Sequence, residues 1–123
     1  AGRKEIFVVN DKDGTPTYTH DFAKNVKLLL EKQYWGLYNM VCGGQTSRLE
    51  VAAEMLRILK LEKSVTIHEV PSDYFSKEYF AERPPCERLI NRKLKLRGIN
   101  IMRDWKISLK EYLDDYYNDY LIS

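Results

Sequence analysis

The sequence predicts an α/β fold: a small, three-layer-like β-α-β-α-β unit followed by an irregular loop and C-terminal helices. Three observations predict it. Short β-branched and aromatic runs alternate with longer stretches of helical periodicity as far as residue 70. Clusters of Asp, Gly, Ser and Pro separate these runs. Beyond Pro71 the strand-like runs stop, and the consecutive Pro84 and Pro85 exclude a helix where they stand.

Taken in order, residues 6–10 read as the first strand. It breaks at Asp11-Lys12-Asp13-Gly14, whose side chains favour turns and whose glycine tolerates positive φ. Pro16 keeps Thr15 out of the helical region, so residues 15–18 are an extended loop. Thr19 is the expected N-cap of the first helix, with Asp21 in its first turn. Phe22, Val26, Leu29 and Leu30 share one face of that helix. Gly36 suits a chain reversal, and residues 37–42 read as a second strand. Ser47 and Glu50 form a capping-box pattern in which Glu50 reaches back to the Ser47 N–H. The helix behind it runs to about Lys60 and turns Val51, Ala52, Met55, Leu56 and Leu59 inward. Residues 65–70 are the third strand. Residues 72–82 suit one or two short helical turns, Asn91 caps a short helix stopped at Gly98, and Asp104 caps the last helix, residues 105–118.

Length and composition exclude several classes. The 123 residues suffice for one ordinary domain and one core. With 31% charged and 44% hydrophobic residues, the usage is globular rather than disordered or collagen-like. Twenty Lys and Arg against eighteen Asp and Glu leave +2, so no global field points to nucleic acid. No apolar run approaches the about 20 residues a membrane helix needs, and the first residues do not have the make-up of a secretory signal. A cytoplasmic protein without membrane association is the expectation.

Searched for chemistry, the chain lacks GxSxG, HExxH and the phosphate-cradling GxxxxGK[ST]. Cys42 and Cys86 are too isolated for a disulfide framework, and Cys42 ends an apolar run as a buried small hydrophobe would. His20 and His68 have no ligand-like neighbours, so no metal site is expected. Gly43-Gly44 before a helix suits either an anion at its N-terminus or a simple tight turn. The acid pairs Asp11/Asp13 and Asp114/Asp115 suit either acid–base work or a metal, or, as adjacent acids more often do, a solvated turn and a helix face. Tyr112, Tyr116 and Tyr120 share a stripe with Leu109 and Leu113, a core or an interface. Two loops remain that the fold does not need: Gly14-Thr15-Pro16-Thr17, with two hydroxyls on a stiff backbone, and Arg83-Pro84-Pro85. Arginine is the side chain best suited to bidentate phosphate recognition, and a surface ion pair is the alternative for Arg83.

At these residues the sequence resembles a known family. Asp11 through Ala23 (DKDGTPTYTHDFA) is similar to the D-Q-x-G-x-P-T-y-x-x-D-l-A segment of dTDP-4-dehydrorhamnose reductases, sugar-nucleotide reductases of the extended short-chain dehydrogenase superfamily. Gly36-Leu37-Tyr38-Asn39 through Gly44, Ser47, Glu50 and Ala52 resembles the G-x-y-h…G…S-w-x-E-x-A stretch, Arg83-Pro84 with Leu89 resembles R-P-x-x-S-x-L, and Asp104-Trp105 through Leu113 resembles the terminal x-W-x-x-a-L-x-x-y-L. The four motifs stand in the family's order over residues 6–113.

The resemblance implies that residues 1–123 are one C-terminal, substrate-binding domain. The family's N-terminal Rossmann domain, with its Gly-rich dinucleotide turn and catalytic Tyr-x-x-x-Lys, is not in this sequence; no Tyr has a Lys four positions on. It implies NADPH or NADH on the full-length parent and no cofactor on this chain, a nucleotide-sugar substrate, the Rossmann domain as partner, and a homodimer as a possibility. Arg83 with Pro84 would meet the substrate diphosphate, and Gly14, Thr15, Pro16 and Thr17 would wall the cleft. Glu87 stands where the family has Ser, and Arg48 where it has Trp; Arg48 would be an extra cation offsetting Glu87, with a plain surface side chain as the alternative. The implied activity of the parent is reduction of dTDP-4-dehydro-L-rhamnose to dTDP-L-rhamnose. The alternatives are a sibling epimerase or dehydratase, or a non-catalytic regulatory or interaction subunit of the same fold.

Overall fold

The computed structural model describes residues 4–75 and 83–117. Within them the order is β1 (Glu5–Val9), α1 (Thr19–Lys32), α2 (Arg48–Ile58), β2 (Thr66–Val70), a 3₁₀ turn (Ser72–Phe75), α3 (Arg92–Leu96) and α4 (Trp105–Tyr116). The expected α/β class holds, with a sheet of two parallel strands in which Glu5 faces Thr66 and Val9 faces Val70. Parallel strands require a crossover, and here it holds α1, residues 33–47 and α2. Of these, α2 packs against β1 and α4.

Residues 37–42, expected as the middle strand, do not join this sheet. Asn91 explains why. Its carboxamide accepts from the Val41 N–H (2.9 Å) and donates to the Val41 carbonyl (2.7 Å), taking the place of a neighbouring strand. Asn91 therefore stands at the start of α3 without capping it; its side chain also donates to Asn100 Oδ1 at 3.0 Å.

The main core cluster contains no residue of either strand. Tyr18, Met40, Cys42, Leu94, Ile99, Met102 and Trp105 are buried together, with α1 and α4 packed around them. The face that α1 turns inward matches the expected one in part: Val26 and Leu29 pack against the core, whereas Phe22 and Leu30 are exposed and Asp21 and Asn25 are buried. These polar residues face inward because they have partners there. Asn25 donates to the Ile99 carbonyl (2.9 Å) and accepts from the Ile101 N–H (3.0 Å). Asp21 accepts from Arg103 Nε at 2.9 Å and from the Ser108 hydroxyl. Tyr18, not Thr19, is the N-cap of α1, and no side chain caps that end. Asp104 does cap α4, accepting from the Lys106 N–H at 3.0 Å.

The tyrosine stripe of α4 packs on the start of α1. The rings of Tyr112 and Tyr18 meet edge-on at 5.7 Å, and Tyr116 lies against His20, which also bonds the Tyr18 hydroxyl at 2.9 Å. Burial raises the Tyr18 pKa, and the hydrogen bond to Tyr117 raises that of Tyr112. Tyr120 lies outside the described residues, as do residues 76–82 of the aromatic run.

Asp11 ties the end of β1 to the segment after β2, accepting from the Ser72 N–H (3.2 Å) and hydroxyl (2.9 Å). The bond from the Ser72 N–H chiefly lowers the Asp11 pKa from its ordinary 3.8. A carboxylate depressed on folding contributes stability that is complete above its unfolded pKa and is lost as pH falls through the folded one. The stability difference between the wild type and Asp11→Ala is thus expected to be full at pH 7 and to shrink below pH 3.8, as urea unfolding at a series of pH values would measure.

Candidate functional site

Three segments distant in sequence are tied together beside the end of β1. The Gly14 N–H donates to the Thr46 carbonyl (3.0 Å) and the Arg48 N–H to the Lys12 carbonyl (3.2 Å), fastening residues 12–14 to the start of α2. On the other side the Asp13 N–H donates to the Pro85 carbonyl and the Glu87 N–H to the Asp13 carbonyl, both at 2.8 Å. Proline has no N–H to offer, so the Pro84-Pro85 segment enters this arrangement through a carbonyl.

Between the segments lies a cavity of about 360 Å³. Gly14, Thr15 and Pro16 form one wall, and Pro84 and Glu87 another. The third wall is a single stripe of α2, Arg48, Val51, Ala52 and Met55, the i, i+3, i+4, i+7 spacing of one helix face. Lys12 and Asp13 complete the lining.

The cavity is apolar on the α2 side and charged around it. Lys12 Nζ donates to the Arg83 carbonyl at 2.5 Å, and Asp13 lies 3.6 Å from Arg88. The guanidinium of Arg48 makes no hydrogen bond or ion pair among the described residues. A cation that is free beside an apolar wall can meet an anionic group without first breaking a bond.

Of the residues singled out in the sequence, Gly14, Thr15, Pro16, Arg48 and Pro84 come together here. Thr17 does not: it is exposed and outside the lining. The Arg83 side chain is exposed and also outside the lining; its carbonyl reaches Lys12 instead. The Thr15 hydroxyl is occupied by the Gly44 carbonyl at 2.9 Å, so it braces the wall. Sequence reasoning did not assign Lys12, Asp13, Val51, Ala52 or Met55 to the site; the last three it turned into the core with the rest of that helix face. The signal for Met55 was its place seven residues after Arg48; Lys12 and Asp13 lie within the motif but carried no mark beyond their turn propensity.

The surrounding turns are closed by their own side chains. Glu50 accepts from the Thr46 hydroxyl at 3.0 Å, so only the Ser47 half of the expected capping box forms, from the Glu50 N–H at 3.2 Å. Gly14 does not use positive φ, whereas Gly44 does, at +91°. A Cβ at Gly44 would lie 2.7 Å from Asp104 Oδ1 and 2.9 Å from Trp105 Cδ1, and the Gly43 N–H donates to the Arg103 carbonyl at 2.8 Å. The pair is a tight turn backed by the start of α4. Asp114 is bonded to Lys110.

Residues 1–118 match the RmlD substrate binding domain. The chain is 31% identical over 113 residues to the spore coat polysaccharide biosynthesis protein SpsK of Bacillus subtilis, a match covering 92% of this chain and 38% of that protein. It is 27% identical over 124 residues to dTDP-4-dehydrorhamnose reductase of Escherichia coli, covering 94% of this chain and 40% of that one. Among solved structures, it superposes on a dTDP-4-dehydrorhamnose reductase of Clostridium acetobutylicum with a TM-score of 0.85 at 34% identity, over 91% of this chain and 39% of the other. The enzyme of the same name from Bacillus anthracis, solved in complex with NADP, gives a TM-score of 0.82 at 25% identity, over 94% of this chain and 39% of that one. The chain thus spans 38–40% of the length of the curated relatives it matches.

Proposed function

The chain belongs to the RmlD substrate binding domain family, and we propose that it is the substrate-binding part of an NAD(P)H-dependent reductase converting dTDP-4-dehydro-L-rhamnose to dTDP-L-rhamnose in the cytoplasm. The observation that supports this most is the convergence of three motif segments, residues 12–16, 48–55 and 84–87, on one cavity.

In this proposal the residues of this chain bind and orient. Arg48 and Lys12 meet the negative charge of the nucleotide sugar, and Val51, Ala52, Met55 and Pro84 cover an apolar part of it. The Thr15–Pro16 wall, held by Gly44, fixes the pose. The residues present do not fit the nicotinamide cofactor: the sequence has neither the Gly-rich dinucleotide turn nor Tyr-x-x-x-Lys, and its Gly43-Gly44 turn packs against the start of α4. No step of hydride or proton transfer is assigned to this chain.

The test is NADPH oxidation with dTDP-4-dehydro-L-rhamnose by the full-length protein containing this sequence. Activity there, and none in the 123-residue chain, is the expected result; silence in the full-length protein overturns the proposal. In the active protein, Arg48→Ala is expected to raise KM about 10-fold with little change in kcat, the signature of lost uniform binding by one charged group. Thr17→Ala, outside the cavity, is expected to leave both constants within about 2-fold.

A further inference from the structure

We infer that Glu87 is a specificity-determining residue, whose carboxylate selects a sugar offering hydroxyl or amine donors and turns away one that carries a carboxylate of its own. The inference rests on the substrate-binding reading above and gives the sugar end of that substrate a class: neutral or amino, not acidic.

Four charged side chains line the cavity: Lys12, Asp13, Arg48 and Glu87. Two of them have partners within the chain. Lys12 donates to the Arg83 carbonyl, and Asp13 lies 3.6 Å from Arg88. The side chains of Arg48 and Glu87 make no hydrogen bond or ion pair among the described residues, whether with each other or with a neighbour. They stand on different walls, Arg48 at the start of the α2 stripe and Glu87 beside Pro84. The cavity therefore holds a cation and an anion apart, each open to a ligand.

Backbone bonds root the carboxylate. The Glu87 N–H donates to the Asp13 carbonyl and the Asp13 N–H to the Pro85 carbonyl, both at 2.8 Å. Gly14 lies against the same side chain, where a Cβ would sit 3.8 Å from Glu87 Cβ. Glu87 is thus an exposed side chain on a braced segment.

Chemistry then divides a nucleotide sugar between the two walls. A guanidinium only donates hydrogen bonds, so Arg48 suits the phosphates. An ionised carboxylate only accepts them, so Glu87 calls for a donor and repels a phosphate. A hexose carries several O–H donors and a thymine base a single N–H, so the sugar is the part that suits Glu87. A hydroxyl or an ammonium group satisfies it, whereas a uronic acid sets carboxylate against carboxylate. Ser stands at this place in the motif the sequence resembles. Its hydroxyl both donates and accepts and draws no such distinction, so the selectivity belongs to this chain.

The experiment is isothermal titration calorimetry on the full-length protein without cofactor, at low ionic strength, where an exposed carboxylate is least screened. The probes are dTDP, dTDP-glucose, dTDP-glucosamine and dTDP-glucuronic acid. The wild type is expected to bind the glucose and glucosamine compounds about 10-fold more tightly than the glucuronic acid one. Glu87→Gln should bring the three within about 2-fold, chiefly by binding dTDP-glucuronic acid more tightly, a gain that a poorly folded variant does not produce. Affinity for dTDP itself should be the same in both proteins. The inference is overturned if the wild type shows no gap, if the gap persists in Glu87→Gln, or if the substitution changes dTDP affinity, which would set Glu87 against the nucleoside. In each of those cases the dTDP compounds still bind and the substrate-binding reading stands. No binding of any of the four, with NADPH oxidation silent on the same preparation, overturns that reading and the inference with it.

Discussion

Replacing Asp21 with alanine is expected to destabilise the fold by about 2–4 kcal/mol, lowering the melting temperature by roughly 10 °C. Asp21 is 3% exposed and accepts from Arg103 Nε, from the Ser108 hydroxyl and, weakly, from Cys42 Sγ at 4.0 Å. Removing it leaves a buried hydroxyl and part of a guanidinium without an acceptor. Arg103 is 34% exposed on its side chain and keeps Glu111, which, ahead of Asp21, holds its pKa above the ordinary range. That remaining partner places the expected cost below that of a fully buried pair. Asp21→Asn keeps the shape and one acceptor, and should fall between the wild type and Asp21→Ala in the same thermal melt. An alanine variant that melts with the wild type would mean that the cluster contributes nothing net.

Asn91→Ala is expected to cost about 2–4 kcal/mol, since a net hydrogen bond contributes about 1 kcal/mol and an orphaned buried group costs more. Asn91 is 4% exposed and spends its whole side chain on three bonds, two to Val41 and one to Asn100. Asn91→Asp is the sharper test. It keeps the acceptor for the Val41 N–H and sets a carboxylate oxygen against the Val41 carbonyl and Asn100 Oδ1, so it should be no more stable than Asn91→Ala. Urea unfolding of the three proteins checks the order, and Val41 amide exchange should accelerate in both variants. If Asn91→Asp were as stable as the wild type, the donor half of the bracket would carry no weight.

Both residues show where sequence reasoning stops. Asp21 at a first turn reads as a dipole partner and Asn91 before a short helix reads as a cap, because those roles are local and follow from position along the chain. Val41, Arg103 and Ser108, which they bond, lie 50 to 87 residues away, and nothing in the spacing of a polar residue reveals a distant partner. The same reason accounts for the inner face of α1. An apolar stripe through Phe22, Val26, Leu29 and Leu30 is what periodicity selects; Val26 and Leu29 do pack against the core, yet the fully buried positions are polar ones with bonding partners.

By itself the sequence determined what depends on neighbours along the chain. The α/β class, the capping of α4 by Asp104, the glycine stops and the irregular Pro84-Pro85 segment all follow from backbone sterics, propensity and local hydrogen bonds. It also marked the loop before α1, the start of α2 and the Arg83-Pro84 loop as segments carrying more than fold. Only the tertiary structure decided which of their side chains share a cavity: Arg48 and Pro84 line it, and Thr17 and the Arg83 side chain do not. Tertiary structure likewise left residues 37–42 outside the sheet, because pairing depends on which backbone groups arrive beside a strand. Asn91 and Arg103 are what arrive beside this one.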